Sequence, residues 1–400
     1  MTTTQTTDVK ALESQRVLQT YRRFPVVFTR GEGMRLFDDS GRSYLDFLSG
    51  IGVASLGYAH PVLTRAIADQ AAALLHTSNL YYHPLQGQLA DRLTTLSGLD
   101  RAFFCNSGTE AIEGCLKFAR RYWHGQGRPR TKFVALQHAF HGRTMGALAV
   151  TWGEAYRVPF GPLVPGATFV ESDNPDAFLA AVGEDTAAII VEPIRGEGGV
   201  HPLPAELVAA IRLACAKSGA LLIADEIQCG TWRNTETFLH SQTIGLEPDL
   251  VALAKALGGG VPVGAVLLSE RIAAAVAAGD HGTTYGGNLL ACRAALTVLD
   301  TIEGGLLESM RASSRHLFAR LEALKAARPD AVTGIRGAGL IAGLEVTVDA
   351  LAVVNGALDR GLIINRTSGT VVRLLPPYIV TPQEIDAAVD ILDQALGAAR

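Results

Sequence analysis

Long apolar runs are missing: nowhere do 18 consecutive apolar residues occur, so no membrane-spanning helix is expected. The opening MTTTQTTDVK lacks the apolar centre of a secretory signal, and a cytoplasmic location is the expectation. Five cysteines, Cys105, Cys115, Cys215, Cys229 and Cys292, form an odd, scattered set without a C-x-x-C pair. That argues against a disulfide framework or a zinc centre and for a reducing compartment. Excess charge of one sign is also lacking. The 35 basic and 39 acidic residues leave a net −4 with no long like-charge block, so neither nucleic acid nor an anionic membrane is an expected partner. Apolar side chains, by contrast, make up 48% of the 400 residues, enough for a large core shared by two or three domains.

Residues 8–22 read as an entry helix. VVFTR, MRLFDD and RSYLDFL, separated by Gly31-Glu32-Gly33 and Ser40-Gly41, predict a small antiparallel meander. Next, RAFFC, KFVAL, AAIIVE, ALLIAD, LVALAK and GAVLLS alternate with alanine-rich helical stretches. Short continuous apolar runs suit a sheet buried on both faces, so the fold class is α/β with a mostly parallel sheet. Beyond residue 300 a long helical segment through Ala327 leads into IRGAGLIAGLEV, VVRLLP and a final helix after Thr381-Pro382. The expected organisation is an amino-terminal segment 1–55, a large domain 56–299 and a carboxy-terminal part 300–400. Both terminal parts would build one smaller α+β domain.

Three of the apolar runs end on Glu192, Asp225 and Lys255, spaced by 33 and 30 residues, about one strand and one helix per gap. In an open parallel sheet the carboxyl ends of strands line one crevice, which would gather two carboxylates and a lysine. Pyridoxal phosphate needs a lysine to hold its aldehyde carbon and a carboxylate to keep its pyridine nitrogen protonated. Lys255 and Asp225 suit those roles.

Other segments are less specific alone. Asn106-Ser107-Gly108-Thr109-Glu110 opens a helix and fits either a phosphate site or an ordinary capping box. In His138-Ala139-Phe140-His141-Gly142-Arg143-Thr144 no third ligand supports a metal, whereas Phe140 could stack on a ring and Arg143 could clamp a carboxylate. Glu192-Pro193-Ile194-Arg195-Gly196-Glu197 brings two glutamates into a glycine-rich turn, where cations must pair with them. Gly282-Thr283-Thr284-Tyr285-Gly286-Gly287 could donate to a phosphate, and Arg373 is a second carboxylate clamp or a structural arginine. Gly337-Ala338-Gly339-Leu340-Ile341-Ala342-Gly343 has one residue too many for a dinucleotide fingerprint and reads as a tight turn.

NSGTEA, HAFHGRT, EPIRGEGG, LLIADEIQ, LVALAKALGGG and HGTTYGGN, in this order from about Tyr21 to the end, resemble the class III pyridoxal-phosphate-dependent aminotransferases of the acetylornithine group. The resemblance implies a fold-type I transferase with Lys255 as the Schiff-base lysine and Asp225 on the pyridine nitrogen. It places Gln228 near the phenolic oxygen, Phe140 on the ring face, and Ser107, Gly108 and Thr109 at the phosphate. Thr284 would reach the phosphate of a neighbouring subunit, which implies a homodimer or a higher oligomer with shared sites. Arg143 would bind the donor's carboxylate, while Glu197 would pair with Arg373 whenever the substrate has no carboxylate for it. The implied activity is ping-pong amino transfer between an acylated diamino acid and 2-oxoglutarate in arginine or lysine biosynthesis. SNLYYHPLQGQLADRL and GIGVASLGYAHP look like the branch whose lysine precursor rides on a small acidic carrier protein. Ile51 stands where ornithine δ-aminotransferases have tyrosine. Ornithine or γ-aminobutyrate transfer, an aminomutase and an inactive cofactor-binding protein are the alternatives.

The chain departs from the family pattern after Gln228. There T-G-x-G-R-T-G is usual, and Trp232 and Thr235 replace two glycines, so either they are strained or the loop takes another path. Arg195 replaces a glutamine and Leu289 a proline.

Overall fold

The computed structural model describes residues 8–399; the opening residues 1–7 and Arg400 lie outside the described residues. All six apolar runs of the central region are strands, joined by Ala167–Val170, whose ATFV was too short a signal to read. Arg101–Cys105, Gly264–Leu268, Leu250–Leu253, Leu221–Asp225, Thr186–Val191, Lys132–Leu136 and Ala167–Val170 lie side by side in that order. Gly264–Leu268 alone runs against its neighbours, pairing antiparallel with both Leu250–Leu253 and Arg101–Cys105. Every residue of Thr186–Val191, Leu221–Asp225 and Leu250–Leu253 is buried, as a sheet covered by helices on both faces demands.

The helix Gly108–Gly125 shows how the covering layer forms. Ser107 caps it by accepting from the Glu110 N–H at 3.3 Å. Its buried face, Ala111, Ile112, Cys115, Phe118 and Ala119, follows the helical period and packs on the sheet core. Full burial of a side chain such as Phe118 contributes about 1.5–3 kcal/mol. Among the described residues no helix is long and apolar enough to cross a membrane.

The meander appears as Phe28–Glu32, Arg35–Asp38 and Ser43–Asp46, all antiparallel. A strand from the far end of the chain, Leu362–Ile363, then joins Ser43–Asp46 in parallel, so both ends of the sequence share one sheet. Val332–Ala338 and Ile341–Val346 form a hairpin across the Gly337–Gly343 segment. Gly339 has φ +62, and a Cβ there would stand 2.3 Å from the Arg233 carbonyl oxygen. The segment is therefore a turn that only glycine fits. The final helix, Pro382–Ala398, starts at a capping box of Thr381 and Glu384.

The altered loop takes the strained course: Thr231, Trp232 and Thr235 have φ of +54, +58 and +66. Trp232 is buried against Phe238, with ring centroids 5.0 Å apart, and this packing offsets the left-handed backbone. Trp232→Gly should consequently lower stability by about 2–4 kcal/mol in urea unfolding, because a lost buried tryptophan outweighs about 1–2 kcal/mol of relieved strain. A variant as stable as the parent would show that strain dominates.

Candidate active site

Leu250–Leu253, Leu221–Asp225 and Thr186–Val191 are parallel neighbours, with Asp225 level with Ala252 and Ala224 level with Val191. Their carboxyl ends deliver Glu192, Asp225 and Lys255 to one cavity of about 380 Å3. Ser107, Gly108, Thr109, Phe140, Arg143, Glu197 and Gln228 line the same cavity. Of the residues singled out from sequence, Arg373 reaches it through Glu197 and Gln228, while Thr284 is exposed and lies outside it.

Lys255 sits in the first turn after its strand with φ +36, a strained value for a residue with a side chain. Its ammonium makes no hydrogen bond or ion pair among the described residues. Burial lowers its pKa, opposed chiefly by the Glu197 carboxylate. Asp225 is buried and anchored at both oxygens. Oδ2 lies 2.8 Å from His141 Nδ1 and Oδ1 accepts from the Ile227 N–H at 3.1 Å. The other ring nitrogen of His141 is buried without a partner among the described residues. Sequence reading passed over His141 after dismissing a metal. The signal was present, since a carboxylate in a buried strand needs a partner and this histidine opens its neighbouring loop.

Glu192 accepts from the backbone N–H groups of Phe140 at 2.9 Å and Gly196 at 3.1 Å. Burial pushes its carboxyl up; His141 opposes that shift and Asp225 adds to it. Arg373 is fully buried. Its guanidinium donates to Glu197 Oε1 at 2.6 Å, Gln228 Oε1 at 3.1 Å and Asn365 Oδ1 at 3.2 Å. Burial alone would raise the Glu197 carboxyl, yet Arg373 first and Lys255 second hold it below its ordinary value. Arg143 is exposed and paired with no carboxylate among the described residues, its guanidinium carbon 3.6 Å from the Tyr156 ring centroid. Arg195 is buried and donates to the Gln137 carbonyl at 2.9 Å.

Pyridoxal phosphate fits these residues. The Ser107 hydroxyl is committed to capping Glu110, but the Gly108 and Thr109 N–H groups have no acceptor among the described residues. They open an 18-residue helix toward the cavity, an anion-binding arrangement. A Cβ on Gly108 would approach Ile227 to 2.8 Å, so this wall is cut back to backbone. Asp225 and Lys255 would supply the acid partner and the amine.

A family model described as aminotransferase class-III matches residues 17–396. The chain belongs to the class-III aminotransferases. It is a pyridoxal-phosphate-dependent enzyme. This aminotransferase is 45% identical to the acetylornithine aminotransferase of Methanocaldococcus jannaschii over 96% of both chains. Among solved structures it resembles the ornithine aminotransferase of Toxoplasma gondii ME49, with TM-score 0.92, 30% identity and coverage of 97% and 94%. It also resembles a pyridoxal-phosphate-bound amine transaminase from an uncultivated Pseudomonas species, with TM-score 0.88, 29% identity and coverage of 96% and 97%.

The raised Glu192 carboxyl has a consequence for stability. The folded aminotransferase holds a proton there that the unfolded chain releases. That contribution is complete below the ordinary value of 4.5 and is lost as pH rises through the raised value. Glu192→Gln cannot ionise, so its stability should fall less than the parent's between about pH 5 and about pH 8. Parallel urea-unfolding profiles would refute this.

Proposed function

We propose that this aminotransferase moves the δ-amino group of N-acetylornithine to 2-oxoglutarate, and that Lys255 and the Glu197–Arg373 pair carry the two halves of the cycle. The observation that bears most weight is that pair. A fully buried guanidinium is neutralised by a carboxylate at 2.6 Å whose side chain is 36% exposed to the cavity. Similarity to acetylornithine aminotransferases at 40–46% identity supports the donor.

When bound, pyridoxal phosphate supplies an electrophilic carbon and an electron sink. Lys255 would hold it and, as a free amine, would act as the base that takes a proton from the amine-bearing carbon of the donor and delivers it to the cofactor. Burial lowers the lysine pKa and so raises the neutral fraction able to accept that proton. Asp225, oriented by His141, keeps the pyridine nitrogen protonated. Phe140 would cover a ring face, Gln228 would lie toward the phenolic oxygen, and the Gly108 and Thr109 amides would hold the phosphate. Arg143 binds the carboxylate of the donor. With this donor in place Glu197 stays on Arg373; with 2-oxoglutarate or glutamate it moves aside and Arg373 takes the carboxylate.

We further propose a cytoplasmic homodimer divided at 1–55, 56–299 and 300–400. Thr284 is exposed outside its own cavity, near exposed Tyr285, which suits a residue that serves a partner's site. A lysine precursor on a small acidic carrier is the second donor reading, resting on the likeness of SNLYYHPLQGQLADRL and GIGVASLGYAHP to that branch. Donor identity is tested by mixing the loaded enzyme separately with N-acetylornithine, ornithine, γ-aminobutyrate and the carrier-linked precursor and following one half-reaction by absorbance. Rapid conversion with N-acetylornithine is expected, and conversion with ornithine alone would reassign the donor. Glu197→Gln should cut kcat/KM for N-acetylornithine by about tenfold or more while sparing 2-oxoglutarate, because a buried cation loses its partner in one half only. Equal losses in both halves would remove the proposed exchange.

A further inference from the structure

We infer that a second cavity beside the first seats the acyl arm of the donor and binds an arm ending in an anion more tightly than an uncharged one such as acetyl; this subsite presupposes the acylated donor proposed above. A space of about 440 Å3 lies between His138, Trp152, Tyr156 and the 366–369 turn, and it shares Phe140 and Glu197 with the catalytic cavity. Arg143 stands at the junction, lining the first cavity while stacking on Tyr156 of the second. The carboxylate and the acylated nitrogen of the donor are substituents of one carbon. A carboxylate held on Arg143 therefore leaves the acyl group beside Tyr156.

The wall opposite is built by the hairpin that carries Arg373. Strand Asn365–Thr367 pairs antiparallel with Val371–Leu374. Asn365 accepts from Arg373, and the Thr367 hydroxyl donates to the Glu197 carbonyl oxygen, so both neighbours of Arg366 are tied to the catalytic side. Strand alternation turns Arg366 the other way, into the second cavity, where it has no hydrogen bond or ion pair among the described residues. The remaining titratable groups lining the space are His138, Tyr156 and Glu197, and Glu197 is already neutralised by Arg373. The local field is accordingly positive. Trp152 and Tyr156 offer flat apolar faces to methylenes and an amide, and Arg366 offers a planar fork to a terminal carboxylate.

Two probes without a transferable amine isolate this cavity from catalysis: N-butanoylnorvaline and N-succinylnorvaline, equal in chain length and differing only in the terminal carboxylate. Titration calorimetry of the cofactor-loaded protein should find the succinyl probe about tenfold tighter, the scale of one charge-assisted hydrogen bond. In Arg366→Gln that preference should vanish. Trp152→Ala should weaken both probes together. Equal affinities in the parent, a preference that survives Arg366→Gln, or binding indifferent to Trp152→Ala would overturn the subsite. Turnover of N-acetylornithine by the parent tests the donor separately, so a wrong donor and a wrong subsite give different results.

Discussion

Holding a lysine out of water at the end of a buried strand costs several kcal/mol unless opposite charge stands nearby, and the rest of the site is arranged around that cost. Glu197, Asp225 and, when ionised, Glu192 stabilise the Lys255 ammonium, Glu197 most strongly, while Arg373 opposes it. None of these carboxylates is free to satisfy Lys255 alone. Asp225 is shared with His141, Glu192 with two backbone amides, and Glu197 with Arg373 and Gln228. The lysine is left electrostatically supported but without a hydrogen-bond partner of its own among the described residues, the condition that the role proposed for it requires.

That balance depends on strand order. Only because Leu221–Asp225 lies between Thr186–Val191 and Leu250–Leu253 do charges about thirty residues apart in sequence meet at one edge. The reversed strand Gly264–Leu268 then brings Arg101–Cys105 into the sheet, and with it the amino end of Gly108–Gly125. A Cβ on Gly264 would lie 2.5 Å from the Ser107 carbonyl oxygen, so the reversed strand presses directly on the anion-binding turn. The candidate anion-binding turn and the lysine are positioned by the same sheet.

This much was legible in the sequence because it rests on local pattern. Fully buried strands print as apolar runs, and the residue that ends each run is fixed at the crevice. The Ala350–Asp359 helix escaped because it is short, and the Leu362–Ile363 strand because it is two residues long and depends on pairing with Ser43–Asp46. His141 escaped because its partner lies 84 residues away. Tyr156 escaped because nothing local distinguishes it from a surface tyrosine. Arg233 was hidden for another reason: the loop departures around it drew attention to glycine replacement, whereas its side chain makes the long-range contacts.

Those contacts explain how the loop tolerates its strain. Thr231, Trp232 and Thr235 occupy left-handed backbone, and so does the turn Ser49–Gly52, where Ile51 has φ +67 and ψ +50. Each non-glycine residue there costs about 1–2 kcal/mol, more for a β-branched side chain. The fully buried Arg233 guanidinium donates to carbonyls of Gly52, Leu340 and Pro376 and stacks 4.3 Å from the Tyr378 ring centroid. The Tyr378 hydroxyl in turn donates to the Thr231 carbonyl at 2.8 Å. The Ser49 hydroxyl donates to the Leu375 carbonyl at 2.6 Å, and the Ser55 hydroxyl to the Ala256 carbonyl at 2.8 Å. Val53, between those serines, lines the cavity, and Ala256 follows Lys255. The strained turns are thus stitched to the lysine on one side and, through Leu375 and Pro376, to the strand of Arg373 on the other. Among the described residues this clamp of one guanidinium and several carbonyls has no compensating carboxylate, and burial lowers the Arg233 pKa. Its hydrogen bonds are therefore charge-assisted in a dry setting, strong enough to hold backbone geometry that the loop sequence by itself disfavours.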